Sequence, residues 1–181
     1  MRIYDPYIVV GTGRCGSSFV SGVLHNDLDI CMGKEMRGPG PYNVDGYYED
    51  IHFKKYNEMI LVGDLTLQGW LKLIQQTIVE RRNLGKKWGF KDPRISELLG
   101  LYLTFFDKPK IIWCDRDKDL VINSLVKNYE YPVERAEMQY NARNMILNRL
   151  IPKTDHVKIY FNGEKVSKDT VIDIVTSKWQ N

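Results

Sequence analysis

The chain reads as an α/β protein, three α/β/α layers with a central parallel sheet, and three observations carry that reading. Short apolar runs of strand length alternate with longer amphipathic stretches, the order that builds right-handed crossovers and a sheet covered on both faces. The apolar runs are continuous rather than alternating, as strands buried on both sides require. The first of them opens straight into a glycine-rich turn and a helical pattern, the setting in which a helix N-terminus meets an anion.

In chain order, Tyr7–Val10, Leu28–Met32, Trp88–Lys91, Lys110–Cys114 and Val157–Phe161 are the expected strands. Ser17–His25 is the first expected helix, with Phe19, Val20, Val23 and Leu24 on one face. Leu67–Arg82 repeats the pattern through Trp70, Leu71, Ile74, Ile78 and Val79. Leu120–Asn128, Val133–Leu150 and Ser167–Trp179 complete the set, with Ser167 as N-cap. There is no internal repeat and no low-complexity tract. The segment "GKEMRGPGPYNVDGYYED", Gly33–Asp50, is too irregular for a core element and too long for a passive turn. Loops of that kind serve as lids or binding loops, so it is the expected acceptor-side loop.

With 181 residues the chain suffices for one domain, expected over 1–181. Hydrophobic residues at 43% and charged residues at 27% match an ordinary soluble protein. A net charge of +3, with no lysine- or arginine-rich run, suits a small anionic ligand and argues against a nucleic-acid partner. Cys15, Cys31 and Cys114 are odd in number and lack metal-ligand spacing, which points to a reducing compartment. The apolar run near the N-terminus is short and broken by Asp5 and Pro6, so neither a signal peptide nor a membrane span is expected. The expected location is cytoplasmic. No carboxylate or histidine cluster suggests a metal, and His25, His52 and His156 stand alone. His25, near the end of the first helix, reads as a C-terminal cap.

"GTGRCGSS", Gly11 to Ser18, carries the chemistry. It places Gly11, Gly16 and Ser18 at the spacing of the phosphate-binding loop G-x-x-x-x-G-K-[ST], but Ser17 stands where the lysine belongs. The glycines let successive N–H groups point inward, and the helix dipole adds positive potential. Ser17 and Ser18 supply hydroxyls at the first turn. Cys15 reads as a packing residue, although a helix N-terminus can activate a thiol. An ATP-using enzyme needs the lysine and usually a metal-holding aspartate after a second strand. Asp115, at the end of "KIIWCD", offers the aspartate but nothing replaces the lysine within the loop.

At these residues the chain resembles the sulfotransferases that use 3′-phosphoadenosine-5′-phosphosulfate, within the P-loop NTPase-like class of folds. Arg14-Cys15-Gly16-Ser17-Ser18 is similar to their [KR]-x-G-[ST]-[ST] loop, in the arginine form of the tyrosylprotein sulfotransferases and related bacterial enzymes. "GKEMR" resembles the stretch that holds the family's catalytic base, which implies Glu35. "FKDPR" resembles its Lys-Asp-Pro motif, which implies Lys91 at the sulfuryl group. "IIWCDRDKDLVINSLVKNY" resembles the 3′-phosphate site, implying Arg116 and, eight residues later, Ser124. An arginine at a strand end can grip a phosphate bidentately. The family's catalytic domains are generally longer, and no stretch matches the C-terminal nucleotide motif of its cytosolic branch.

The resemblance implies sulfuryl transfer from the phosphosulfate donor to a hydroxyl or amine, with adenosine 3′,5′-bisphosphate as product and no metal. The 5′-phosphate would rest on Gly13, Arg14, Cys15, Gly16, Ser17 and Ser18, and Arg14 and Lys91 would neutralise developing charge. Glu35 is the expected base, with Glu49 and Asp50 as runners-up. Tyr47, Tyr48 and Arg94 join them as acceptor-side residues, and Tyr42 either lines the acceptor pocket or pins the loop. The acceptor is a small molecule, glycan or peptide, and a second copy of the chain is a conceivable partner. Two other readings stand: a P-loop kinase with a degenerate lysine, and a nucleotide-binding module without catalysis.

Overall fold

Strand β1 (Tyr7–Val10) lies inside a four-stranded parallel sheet of order β2–β1–β3–β4, with β2 at Gly89–Lys91, β3 at Lys110–Arg116 and β4 at His156–Phe161. This computed structural model describes residues 5–163 and 166–179, so the ends of the domain expected over 1–181 fall outside the described residues. Tyr7 is in register with Gly89 on one side and Lys110 on the other, and Ile111 is in register with His156.

Successive side chains leave a strand on opposite faces, and this sorts the core into two. Ile8, Val10, Ile111 and Trp113 join Trp88 and Phe90 on one face. There α2 (Ile51–Val62), α3 (Leu67–Arg82), α4 (Ile95–Tyr102) and α6 (Val133–Leu150) supply Phe53, Trp70, Leu99 and Leu147. Tyr7, Val9, Ile112 and Cys114 face the other way, against Val20 and Leu24 of α1 (Ser17–Asp27) and Val171 and Val175 of α7 (Lys168–Lys178). Helix α5 (Lys118–Tyr129) packs on α6 through Val121, Leu125, Ala136 and Tyr140. The fold is thus the three-layer α/β/α class with a central parallel sheet.

Local chemistry sets the helix ends. Asp50, Thr66, Asp117 and Ser167 each accept a backbone N–H of the first turn, opening α2, α3, α5 and α7, and such caps contribute about 1 kcal/mol apiece. Gly63 closes α2 at φ 84°. His25 lies in the last turn of α1, where a basic residue meets the dipole.

Three elements differ from expectation. Leu28–Met32 forms no strand: Asp29 turns to φ 49°, and a single parallel bridge joins Cys31 to Trp88. Ile30, Cys31 and Met32 are buried all the same, which is why the run looks strand-like. Helix α2 escapes the sequence pattern because it buries only Phe53 and Asn57, too narrow a stripe to read. Helix α4 has only 8 residues and carries Gly100, below the window in which helical periodicity shows.

The strand order positions the site. The chain leaves β1 towards β2 and leaves β3 towards β4, so neighbouring strands send their connections in opposite directions. The crevice at the carboxyl ends of such a pair is where ligands bind in open α/β sheets. Here it receives the Gly11–Ser18 loop from β1 and Arg116 from β3. Among the described residues no helix is long and apolar enough to cross a membrane.

Candidate functional site

The Gly11–Ser18 loop wraps the N-terminus of α1 through three left-handed residues, Gly13 at φ 92°, Arg14 at 54° and Gly16 at 83°. Gly16 is there for two reasons. Its φ is one that side-chain-bearing residues avoid, and a Cβ on it would sit 2.5 Å from the Phe161 ring. Ser17, at the place of the missing lysine, is buried. Cys15 is buried too, and burial pushes its thiol above the usual range against the pull of nearby amides and Lys91. It packs rather than reacts.

A lysine does reach this loop, from another strand. Lys91 ends β2, and its Nζ donates to Ser18 Oγ at 2.8 Å and to Glu49 Oε1 at 3.0 Å. The Lys91 and Glu49 side chains are 2% and 4% exposed, a buried ion pair at the floor of a cavity. Glu49 Oε2 also meets Arg37 Nη1 at 3.4 Å, and the Arg37 guanidinium lies 3.7 Å above the Tyr47 ring. Lys91, Glu49, Arg37 and Tyr47 thus form one chain of contacts from the sheet out to the Gly33–Asp50 loop.

The cavity measures ≈ 520 Å³. Arg14, Arg37, Lys91, Arg94, Arg116 and Arg143 all line it, with Glu49 as the carboxylate among them. Such a concentration of positive charge gives the cavity a positive potential, which favours anions. Its other end is aromatic. Tyr42 packs on Tyr129 with ring centroids 5.0 Å apart, and Tyr131 stands 5.9 Å beyond Tyr129. Arg14 spans the two ends: its Nε donates to Ser124 Oγ at 2.9 Å, and its guanidinium lies 5.8 Å from the Tyr129 ring. Arg116 Nη1 donates to the Arg14 carbonyl at 3.0 Å, so Arg14, Arg116 and Ser124 are brought together.

The acidic residues separate sharply. Glu35 is exposed and does not line the cavity, which corrects the expectation that it faces the reacting group: the carboxylate at Lys91 is that of Glu49. Asp50, expected on the acceptor side, is wholly buried and turned away. Its carboxylate accepts from Arg81 Nε at 2.8 Å, from the Lys34 amide at 3.3 Å and from the His52 amide at 3.0 Å. Tyr48, at φ 52°, leaves the main cavity for a neighbouring cleft, packs over Gly22 and accepts from Asn26 Nδ2 at 2.9 Å. Arg94 lines the cavity while paired with Asp92 at 3.0 Å and Glu58 at 3.5 Å. Burial raises the Asp92 carboxyl above its ordinary value, against the opposing charge of Arg94.

Asp115 does not enter the cavity either; Lys158 Nζ holds it at 2.7 Å. Among the described residues no group of three or more histidine, cysteine, aspartate and glutamate side chains is gathered as for a metal.

Arg37, Arg81, Arg143, Tyr129 and Tyr131 went unread in the sequence. For two of them a signal existed. Arg81 lies on the buried stripe of α3 with Trp70, Ile74 and Thr77, and Arg143 lies on that of α6 with Ala136, Tyr140 and Leu147. A charged residue at core spacing is buried only when a partner holds it.

No protein-family model and no curated protein sequence matches the chain. Solved structures do resemble it. A sulfotransferase domain from the Synechococcus PCC 7002 olefin synthase aligns with a TM-score of 0.59 and 15% identity, covering 97% of this chain and 72% of that one. Deoxyadenosine kinase from M. mycoides, solved with bound dATP, gives 0.54 at 13% identity, covering 95% and 98%. Dephospho-CoA kinase from Campylobacter jejuni gives 0.51 at 12% identity, covering 99% and 100%. Likeness at this identity defines the class of fold: a P-loop NTPase-like α/β protein.

Proposed function

We propose that this protein transfers a sulfuryl group from 3′-phosphoadenosine-5′-phosphosulfate to a hydroxyl or amine acceptor. One observation carries the reading: the Lys91 ammonium sits on the Ser18 hydroxyl at 2.8 Å. In a P-loop kinase the hydroxyl at this position of the loop ligates Mg²⁺, and the preceding lysine reaches the transferred phosphate. Here the hydroxyl is held by an ammonium, the preceding residue is a buried serine, and Asp115 is paired with Lys158. A fixed monovalent cation stands where the kinase mechanism places a divalent one. That suits a transferred group less charged than a phosphoryl.

The residues present fit the donor. The loop amides with Arg14 and Lys91 suit the phosphosulfate, Arg116 and Ser124 suit a second phosphate, and the tyrosine end suits a flat base. The donor supplies an activated sulfuryl group, whose bond to the 5′-phosphate oxygen breaks as the acceptor oxygen or nitrogen bonds to sulfur. Glu49 takes the acceptor's proton on its carboxylate, a role that contributes typically about 10²–10⁴-fold. Lys91 orients Glu49 and opposes the charge that grows on the leaving phosphate. Arg37, fixed over Tyr47, closes the acceptor side.

Binding without metal is the test. Adenosine 3′,5′-bisphosphate should raise the melting temperature in the presence of a chelator, and labelled donor should pass sulfate to a member of a panel of phenols, sugars and peptides. Stabilisation by ATP, only with magnesium, would instead establish the kinase reading to which the two kinase folds lend precedent.

A further inference from the structure

We propose that Arg143 is a positioning residue for the 5′-anion of the bound nucleotide: it holds the start of the anion loop by the Thr12 carbonyl and so fixes the curl in which the loop meets the ligand. The inference rests on the nucleotide reading of the cavity given above.

Arg143 comes from α6, far along the chain from the loop it serves. Its Nη1 donates to the Thr12 carbonyl at 3.1 Å, and its Nε donates to Glu97 Oε1 at 2.7 Å. The residue is 8% exposed and lines the cavity beside Gly13. Burying an arginine on the apolar stripe of a helix is costly unless each donor is used. Here the rigid fork serves a carboxylate with one nitrogen and a loop carbonyl with another, a division a lysine ammonium cannot reproduce with the same geometry.

The consequence for the loop follows from peptide geometry. In a planar trans peptide the C=O and the next N–H point in opposite directions. Fixing the Thr12 carbonyl on Arg143 turns the Gly13 N–H away from α6 and onto the buried Cys15 thiol, which closes the turn from inside. Arg116 does the same two residues on, taking the Arg14 carbonyl at 3.0 Å and so turning the Cys15 N–H. Ser96 anchors the start, donating to the Gly11 carbonyl at 2.7 Å and accepting the Gly11 N–H at 3.3 Å. With left-handed Gly13, Arg14 and Gly16 along the loop, these anchors keep the backbone curled, the kind of turn in which amides can bind an anion. The motif supplies a backbone able to take this shape, and side chains from β3, α4 and α6 hold it there. Gly13 is tied to the same contact, because a Cβ on it would come within 3.2 Å of Arg143 Nη1.

A ligand pair isolates the effect. Dissociation constants of adenosine 3′,5′-bisphosphate and of adenosine 3′-monophosphate are measured by calorimetry for the wild type, Arg143→Ala and Glu97→Gln. Arg143→Ala should weaken the bisphosphate at least about tenfold, the scale of a lost charge-assisted contact, and leave the 3′-monophosphate unchanged. Glu97→Gln, which keeps the charge but loosens its aim, should weaken the bisphosphate in the same direction and to a smaller extent. Equal weakening of both ligands would mean a general structural role and overturn the inference, as would unchanged bisphosphate affinity in either variant. Should Arg143→Ala not fold, Glu97→Gln decides alone by the same criteria. Failure of the wild type to bind either ligand removes the nucleotide reading and this inference together, whereas a wild-type-like Arg143→Ala removes this inference only.

Discussion

Two loops face each other across the cavity and are shaped by different means. Gly11–Ser18 is short and owes its possible shapes to its own residues, glycines at φ 92° and 83° between a strand and a helix, with hydrogen bonds to its carbonyls from Ser96, Arg116 and Arg143 to hold it. Gly33–Asp50 has glycines and prolines too, yet its form comes from outside. Its base is pinned by backbone bonds from Arg37 N to Glu49 O and from Ile51 N to Glu35 O. Beneath that base, Asp50 is locked to Arg81 of α3, and Glu49 is locked to Lys91 of β2. One loop starts from conformational freedom and is held by hydrogen bonds to its carbonyls, the other is held by two buried ion pairs with residues 31 and 42 positions away. Adjacent acids can therefore have opposite placements: Asp50 is locked into the scaffold and Glu49 lines the cavity.

The largest effect that can break this contrast is on turnover. Glu49→Gln should lower transfer by about 10²–10⁴-fold with bisphosphate affinity retained, while Glu35→Gln leaves transfer unchanged; the reverse result would return the base to Glu35. Next comes the buried pair under the second loop. Arg81→Met strands the Asp50 carboxylate, which should cost about 3–5 kcal/mol in a denaturant titration. A loss confined to well under that range would mean that the loop base does not depend on the pair.

Smaller effects sharpen the first loop. Gly16→Ala forces a side chain into a left-handed position, expected to cost about 1–3 kcal/mol, and also presses on Phe161. Phe161→Ala in the same chain should recover the steric part and leave the backbone part, so full recovery would show that the conformation itself costs nothing. The smallest effect concerns Asp92, whose carboxyl burial raises above the usual 3.8. A raised acid contributes stability that is complete below 3.8 and is lost as pH rises through the folded value. Asp92→Asn should therefore show a flatter melting-temperature profile than the wild type over the window beginning at 3.8, and an equal slope would exclude Asp92 as its source.

The apolar runs at Tyr7–Val10 and Lys110–Cys114 needed no tertiary knowledge, because a strand buried on both faces can tolerate little else. The spans Leu67–Arg82 and Val133–Leu150 were equally legible, since their stripes are wide enough to show a period. Leu28–Met32 misled because burial with a single bridge to Trp88 leaves the same apolar signature as a strand. Helix α2 was hidden because its apolar residues are scattered and mostly left unburied, with only Phe53 and Asn57 inside and caps at both ends.

What the sequence by itself determined is the class of fold and a glycine-rich loop with phosphate-loop spacing but no lysine, since glycine spacing and periodicity are local properties of the chain. What only the tertiary structure decided is which charges meet. That Lys91 rather than residue 17 supplies the ammonium, that Glu49 rather than Glu35 stands beside it, and that Arg143 holds the loop from α6 all depend on contacts between distant segments. A charge on a buried surface records only that some partner must exist. Which partner it finds is settled by the packing of the sheet and helices, because the cost of burying it is offset by whichever opposite group the fold brings within reach.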